Sequence, residues 1–166
     1  MSASERDLGS SRSLLSGLLA LLLVAAAASL RSLATAPALV SWYGGFEKPA
    51  FSPPIAVFRP VWAALYLLMA FAFWRVLSLS PRVPGRRLAI VLFLAQLALN
   101  AFWSFLFLDA HSPLMGLIDI VPQWLLIVAT IAAFWPLDRS AALALVPLAA
   151  WVGFASLLNF EVWRLN

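Results

Sequence analysis

Residues 86–108 read RRLAIVLFLAQLALNAFWSFLFL, a long apolar run in which Gln96 and Asn100 are the main polar interruptions. An α-helix rises 1.5 Å per residue, so a run of this length crosses a hydrocarbon core roughly 30 Å thick. The run is rich in Leu and Ala and lacks the alternation of apolar and polar residues that a membrane β-strand shows. It therefore predicts a transmembrane α-helix.

Four further stretches share this character, and together they predict an all-α integral membrane protein, a five-transmembrane-helix bundle formed by a single domain over residues 1–166. The predicted spans are 13–36, 54–78, 86–108, 112–135 and 140–164. The first span has an alternative interpretation, because Arg12, the apolar run 14–30 and a small-residue site at 34–36 resemble a signal peptide. Its apolar run exceeds the usual signal core of about 7–15 residues, which favours a retained helix.

Composition supports lipid as the solvent. Hydrophobic residues make up 64% of the chain and charged residues 11%, whereas soluble domains average about 25% charged residues. The net charge of +4 comes from basic residues placed singly or in a short loop, which favours topology and lipid contact over nucleic-acid binding. The chain has no Cys and one His, His111, so we expect neither a disulfide nor a metal site.

Basic residues are distributed unequally between the two predicted faces of the membrane. We call the face of the N-terminus side A and the opposite face side B. Side A carries seven, namely Arg6, Arg12, Arg75, Arg82, Arg86, Arg87 and Arg139. Side B carries four, namely Arg31, Lys48, Arg59 and Arg164. The excess predicts that side A, with the N-terminus, is cytoplasmic and that the C-terminus lies on the opposite face.

The connection predicted at residues 37–53 is long, whereas the other three are short. Long loops in compact domains are often lids or binding loops. Its aromatic residues, which include Trp42 and Tyr43, also suit an interfacial anchor. The two roles are compatible, so we predict a lid-like loop on side B.

Polar residues within the spans gather in the half of the bilayer beneath this loop. Counted at 1.5 Å per residue, Trp62, Asn100, Asp119 and Ala155 lie roughly 10–14 Å from side B. Since polar residues inside a span usually face the protein interior, this depth predicts a ligand pocket. Asp119 by itself suggests either a proton relay or a hydrogen-bonded, neutral acid near the side-B interface.

Helical spacing groups several of these residues into stripes. One stripe comprises Gln96, Asn100, Trp103 and Phe107, a second comprises Trp62, Tyr66, Met69 and Phe73, and a third comprises Trp151, Ala155 and Asn159. The stripes either line a pocket or only pack one helix on another. Pro60, Pro122 and Pro147 fall inside spans and are expected to kink them, and Ala149 with Gly153 forms a small pair that permits close helix contact.

The sequence WYGGFEKPAFSPP at residues 42–54 resembles the first loop of the TspO/translocator protein family, once called peripheral-type benzodiazepine receptors. Further matches follow in the same order, namely VW at 61–62, LYLLM at 65–69, QLALN at 96–100 with Trp103, the pattern P-x-x-x-W-x-x-F-A-x-x-x-N at 147–159, and WRLN at 163–166. The resemblance implies a five-helix bundle, commonly a homodimer, that binds porphyrins, haem, sterols and synthetic ligands without a required cofactor. It implies ligand contacts at Phe58, Trp62, Asn100, Trp103, Met115, Trp151, Ala155 and Leu158, and lid residues at Trp42, Tyr43, Lys48 and Pro49.

The resemblance leaves the activity open between three classes. The leading expectation is a sensor, carrier or regulator that binds tetrapyrroles and possibly sterols. The alternatives are an enzyme that degrades porphyrins with Trp62 and Trp151, and a small-molecule transporter. Departures from the family pattern put sterol binding in doubt, since Phe160 replaces the Tyr of the sterol motif. Arg59, near the predicted pocket mouth, either pairs with a ligand carboxylate or extends to the interface.

Reporter fusions at both ends of the chain test the predicted topology. We expect a cytoplasmic N-terminus and a C-terminus on the other face, because the span count is odd and side A carries more basic residues. Both reporters on one side would contradict either the span count or the retained first helix.

Overall fold

The structure is a computed structural model that describes the backbone of residues 3–41, 45, 47 and 49–166. Side chains are described for 13–32, 45, 47, 49–54, 56–107 and 110–166. The helices are α1 (Ala3–Ser41), α2 (Ile55–Leu77), α3 (Arg86–Ser104), α4 (Pro113–Phe134), α5 (Arg139–Ala144) and α6 (Val146–Leu165). A π-helical turn at Phe105–Asp109 continues α3. Within the described backbone there is no β-strand.

Five of the described segments are long and apolar enough to cross a membrane. They are Ser13–Ser32, Ala56–Leu77, Arg86–Phe107, Pro113–Phe134 and Arg139–Leu165, the last formed by α5 and α6 together. The predicted all-α fold with five membrane-length helices is confirmed. Large apolar side chains such as Leu67, Phe102 and Leu157 are exposed on the outside of the bundle, which suits a surface in contact with lipid.

Helix α1 is longer than the predicted first span. It begins at Ala3 and continues to Ser41, so the first residues assigned by sequence to the 37–53 loop are helical. The helix passes through Pro37, which removes only one backbone donor. The connection on side B is consequently shorter than the sequence alone suggested.

Proline divides the fifth span into two helices. Pro147 lies in the first turn of α6 and Leu145 joins α5 to α6. Without an N–H, Pro147 cannot donate to the carbonyl of Leu143; the Leu145 amide instead donates to Ala142 O at 3.1 Å. The kink expected at Pro147 is thus a short helix break, whereas Pro60 and Pro122 lie inside continuous helices.

Three stacked aromatic rings form the core on side A. Phe73 of α2 stacks on Phe93 of α3 with ring centroids 4.2 Å apart, and Phe93 stacks on Phe134 of α4 at 6.0 Å. All three side chains are buried. Such pairs stabilise contacts beyond the burial of their area, so this stack fixes the second, third and fourth spans against one another.

Asp138 joins two helices where the chain turns on side A. Its carboxylate accepts a hydrogen bond from the Ala141 amide, which caps α5, and pairs with Arg75 of α2 at 2.7 Å. Burial acts to raise the pKa of Asp138, but hydrogen bonds from Ser140, Ala141 and Arg75 outweigh it and hold the pKa below its usual value. The carboxylate therefore stabilises the fold at neutral pH and ceases to do so as pH falls through that lowered pKa.

The small residues Ala149 and Gly153 in the fifth span contact another helix of the same chain. Trp124 of α4 donates its indole N–H to Ala149 O at 3.0 Å. The same nitrogen lies 3.1 Å from the position that a Cβ on Gly153 would occupy. Small residues at both positions therefore allow α4 and α6 to approach closely.

Among the glycines that the structure describes, Gly116 on α4, near side B, has the closest neighbours. A Cβ at this position would lie 2.6 Å from Phe107 Cδ2 and 2.9 Å from Asn159 Oδ1. Asn159 is itself held, because its Nδ2 donates to Pro113 O at 2.8 Å. The third, fourth and fifth spans meet here without space for a methyl group.

Replacing Gly116 with Ala should destabilise the protein, because neither the Phe107 ring nor the anchored Asn159 side chain can move away cheaply. We expect a loss of about 1–3 kcal/mol in the free energy of unfolding, measured by denaturation in detergent. Gly45→Ala is the matched control, since no atom of the described residues lies within 4 Å of its Cβ position. Equal stability of the two variants would show that the contact at Gly116 is looser than described.

Candidate ligand pocket

The stripe on α2 divides into two parts with different surroundings. Met69 and Phe73 are fully buried in the core. Trp62 and Tyr66, closer to side B, are half-buried, and their rings lie 5.7 Å apart at an angle of 38°. The side-B half of the stripe thus faces space that the helices do not fill completely.

The stripe on α3 adds the Asn100 amide and the Trp103 indole to the region beside Trp62 and Tyr66. Asn100 is fully buried, and its Oδ1 accepts a hydrogen bond from the Tyr66 hydroxyl at 2.8 Å. Trp103 is half-buried and stacks on Phe107 with centroids 4.7 Å apart. One region between α2 and α3 is therefore surrounded by three of the ligand contacts that the resemblance implies, namely Trp62, Asn100 and Trp103.

Arg31 of α1 completes this group, although sequence reasoning assigned it to the side-B interface. Its guanidinium carbon lies 3.7 Å from the centroid of the Trp62 ring and 5.1 Å from that of Trp103. Its Nη1 donates to Asn100 O at 3.5 Å. The available signal was that apolar residues continue after Arg31, through 33–40, which places the arginine before the end of its helix.

Two N–H groups in this region have no hydrogen-bond partner among the described residues. They are Nδ2 of Asn100 and Nε1 of Trp103, and both atoms are buried. An unsatisfied buried donor costs roughly 1–3 kcal/mol. We call Asn100 Nδ2 and Trp103 Nε1 the donor cluster, because these two N–H groups have no acceptor among the described residues and face the pocket region.

Further polar side chains on α3 and α4 are buried at a similar depth. Gln96, Asp119 and Gln123 are each less than a tenth exposed. Oδ2 of Asp119 accepts no hydrogen bond from the described residues, and its charge interacts with that of Arg31. Asp119 is therefore a buried acid whose charge interacts with that of Arg31.

A second opening lies between α2 and α6. This lateral groove has a volume of about 640 Å³ and an almost wholly apolar lining, formed by Pro53, Val61, Ala64, Leu65, Leu68, Pro147, Ala150, Trp151 and Phe154. Phe58 packs edge-to-face on Trp151 with centroids 5.7 Å apart. Nε1 of Trp151 is buried without a partner among the described residues, which makes it another available donor.

The ligand contacts implied by the resemblance are thus distributed over two neighbouring regions. The polar region beside Arg31 contains Trp62, Asn100 and Trp103, whereas the lateral groove contains Phe58 and Trp151. Ala155 is half-buried one turn beyond Trp151, and Leu158 is buried in the next turn. Met115 is exposed. Their roles in ligand binding stay a prediction.

The described end of the first loop reaches the side-B end of α6. Asn166 Oδ1 accepts from the Glu47 amide at 3.0 Å, and Asn166 Nδ2 donates to Glu47 O at 3.1 Å. Phe51 packs edge-on against Phe154 with centroids 6.2 Å apart, and Pro49 is half-buried. The predicted lid residues Trp42, Tyr43 and Lys48 lie outside the described residues.

Comparison with known proteins assigns the family. The model of the TspO/MBR family matches residues 19–164. The chain belongs to the TspO/MBR family. It is 43% identical over 131 residues to the tryptophan-rich protein TspO of Chlorobaculum tepidum, covering 78% of this chain and 83% of that protein. The predicted resemblance is confirmed.

Two other relatives illustrate the breadth of the TspO/MBR family. The chain is 38% identical over 125 residues to the tryptophan-rich sensory protein of Cereibacter sphaeroides, covering 75% of this chain and 77% of the relative. It is 34% identical over 126 residues to the human translocator protein, covering 75% of each chain. The family therefore includes bacterial and mammalian proteins.

The bond between Tyr66 and Asn100 should contribute measurably to the stability of this TspO/MBR protein. Tyr66→Phe removes the hydroxyl and leaves Oδ1 of the buried Asn100 without its donor, which we expect to cost about 1–3 kcal/mol in unfolding free energy. Adding Asn100→Leu should cost less in the Tyr66→Phe background than in the wild type, because the two residues are coupled. Strictly additive losses in this double-mutant cycle would contradict the bond.

Proposed function

We propose that this TspO/MBR protein binds a planar, largely apolar ligand of the tetrapyrrole class between its helices, and that it acts as a sensor, carrier or regulator of tetrapyrrole metabolism. The observation that carries the proposal is a pair of buried N–H donors without partners among the described residues, Asn100 Nδ2 and Trp103 Nε1, near the Trp62 ring. Binding sites for small molecules combine apolar and aromatic walls with a few convergent polar groups. A tetrapyrrole offers a broad aromatic face together with polar acceptors.

The lateral groove supports a ligand that reaches the protein through the membrane. Its open side lies between α2 and α6, at positions where both helices cross the bilayer. An apolar ligand dissolved in lipid can enter from this side without crossing water. Trp151 and Phe58 offer it aromatic contacts at the entrance.

A sensory role is supported by the name of one relative, the tryptophan-rich sensory protein of Cereibacter sphaeroides. The first loop gives such a role a physical means. Its contacts with Phe154 and Asn166 join the loop to the end of α6, so a ligand that moves α6 would also alter the loop on side B.

Titration of the purified protein with protoporphyrin IX, followed by quenching of tryptophan fluorescence, tests ligand binding. Ala155→Phe should fill space beside Trp151 and weaken binding by about five-fold, on the order of 1 kcal/mol. Ala132→Phe is the matched control, because Ala132 is exposed on α4. A lower melting temperature with unchanged affinity per folded molecule would mean that Ala155 belongs only to the helix packing.

Product analysis on the same samples separates binding from catalysis. After incubation in light and in darkness, a sensor or carrier should return protoporphyrin IX intact. Breakdown products that disappear in Trp62→Phe and Trp151→Phe would instead favour the porphyrin-degrading enzyme. Uptake of the porphyrin into sealed vesicles would favour the transporter.

A further inference from the structure

The end of the bundle on side A carries more positive charge than the fold itself uses. Among the residues whose side chains are described, this end holds one acid, Asp138, and five arginines, which are Arg75, Arg82, Arg86, Arg87 and Arg139. Nearer the N-terminus, Glu5 and Asp7 are matched in number by Arg6 and Arg12. The surplus of positive charge therefore lies at the ends of the second to fifth spans.

Two of the five arginines are engaged within the protein. Arg75 pairs with the Asp138 carboxylate at 2.7 Å. Arg86 donates from Nε to Val76 O at 3.1 Å and from Nη2 to Leu77 O at 2.9 Å. It thereby satisfies carbonyls of the last turn of α2 that have no partner within the helix. The fold thus uses two cations and the one acid described on this side.

The remaining three arginines, Arg82, Arg87 and Arg139, are exposed, and we call them the basic rim. Their side chains form no hydrogen bond or ion pair with the described residues. Arg139 lies over the Trp135 ring at 5.7 Å, and Trp135 is 46% exposed. Exposed indoles are enriched at the depth of lipid headgroups. Three charges at this depth are therefore left without an anion in the described part of the chain.

The turn between α2 and α3, residues 78–85, holds two of these charges in place. It contains two prolines, whose rings fix their φ angles. Gly85 ends the turn at a φ of 80°, a left-handed conformation that suits glycine. Since Arg86 is bonded back to α2, Arg82 and Arg87 extend from an ordered backbone on either side of an anchored residue. Preorganised groups of this kind lose less entropy when they bind an anion.

Below the rim, the outer faces of α3 and α4 are apolar. Leu88 and Val91 follow Arg87 within about one turn of α3 and are 60% and 54% exposed. Leu125 and Val128 of α4 are exposed as well. The surface thus changes from cations to hydrocarbon in the same order as a phospholipid changes from headgroup to acyl chain. A soluble anion would use the charges but leave the apolar faces uncovered.

We propose that the basic rim binds the headgroup of an anionic phospholipid on side A, with the acyl chains against the exposed faces of α3 and α4. A guanidinium donates two parallel N–H bonds to a phosphate. A headgroup with a net negative charge is attracted by all three arginines, whereas the cation of a zwitterionic headgroup is repelled by them. Lipid binding at this rim is independent of any ligand between the helices.

Native mass spectrometry of the purified protein, with dioleoyl phosphatidylglycerol and dioleoyl phosphatidylcholine on the same preparation, tests the selectivity. We expect the wild-type protein to bind the phosphatidylglycerol more tightly. Arg82→Gln and Arg87→Gln should each lower the ratio of the two affinities by about five-fold, the effect of one basic residue at a membrane surface. Arg59→Gln is the matched control, because it removes the same charge from an exposed arginine at the side-B end of α2 and should leave the ratio unchanged.

Three outcomes would overturn the proposal. The first is equal affinity of the wild-type protein for the two lipids. The second is a ratio that falls as far in Arg59→Gln as in Arg82→Gln and Arg87→Gln, because the attraction would then follow net charge alone. The third is a ratio that stays constant between about 0.1 M and 1 M ammonium acetate, since the screening length falls from about 10 Å to 3 Å over this range. All three substitutions are at exposed positions, so we expect wild-type melting temperatures.

Discussion

Water is absent from the interior of a bilayer, so each polar group on these helices must find its partner inside the protein. The hydrogen bond from Tyr66 to Asn100 is where this requirement shapes the molecule most. It joins the second and third spans at a fixed depth, and Arg31 connects the first span to the backbone carbonyl of the same residue. Asn100 thereby connects three helices, and because its Oδ1 is engaged, its Nδ2 is the atom left for a ligand.

The two halves of the bundle meet this constraint differently. On side A, the stacked rings of Phe73, Phe93 and Phe134 fill the core without polar atoms, and Asp138 closes the turn outside the membrane-spanning segments. On side B, buried amides and indoles have N–H groups without partners among the described residues. The apolar aromatic core thus lies in one half, and the N–H donors without described partners lie in the other, where we place the pocket.

Hydropathy predicted the five spans because each apolar run has the length that a bilayer imposes. Counting depth at 1.5 Å per residue put Trp62 and Asn100 at a similar level of the bilayer, and the structure brings their helices together there. Arg31 was missed, because counting charges by loop treats an arginine near the end of an apolar run as interfacial, whereas its position depends on how far α1 continues. Spacing also did not indicate that Trp124 of α4 would cover the small pair Ala149 and Gly153.

The account depends on the claim that the donor cluster, and not the lateral groove alone, holds the ligand. An experimental structure of the protein with protoporphyrin IX tests this most directly. The account predicts a macrocycle against the Trp62 ring and an acceptor atom within about 3 Å of Asn100 Nδ2 or Trp103 Nε1. A porphyrin that lies wholly between Pro53 and Phe154, without contact to Asn100 or Trp103, would contradict it.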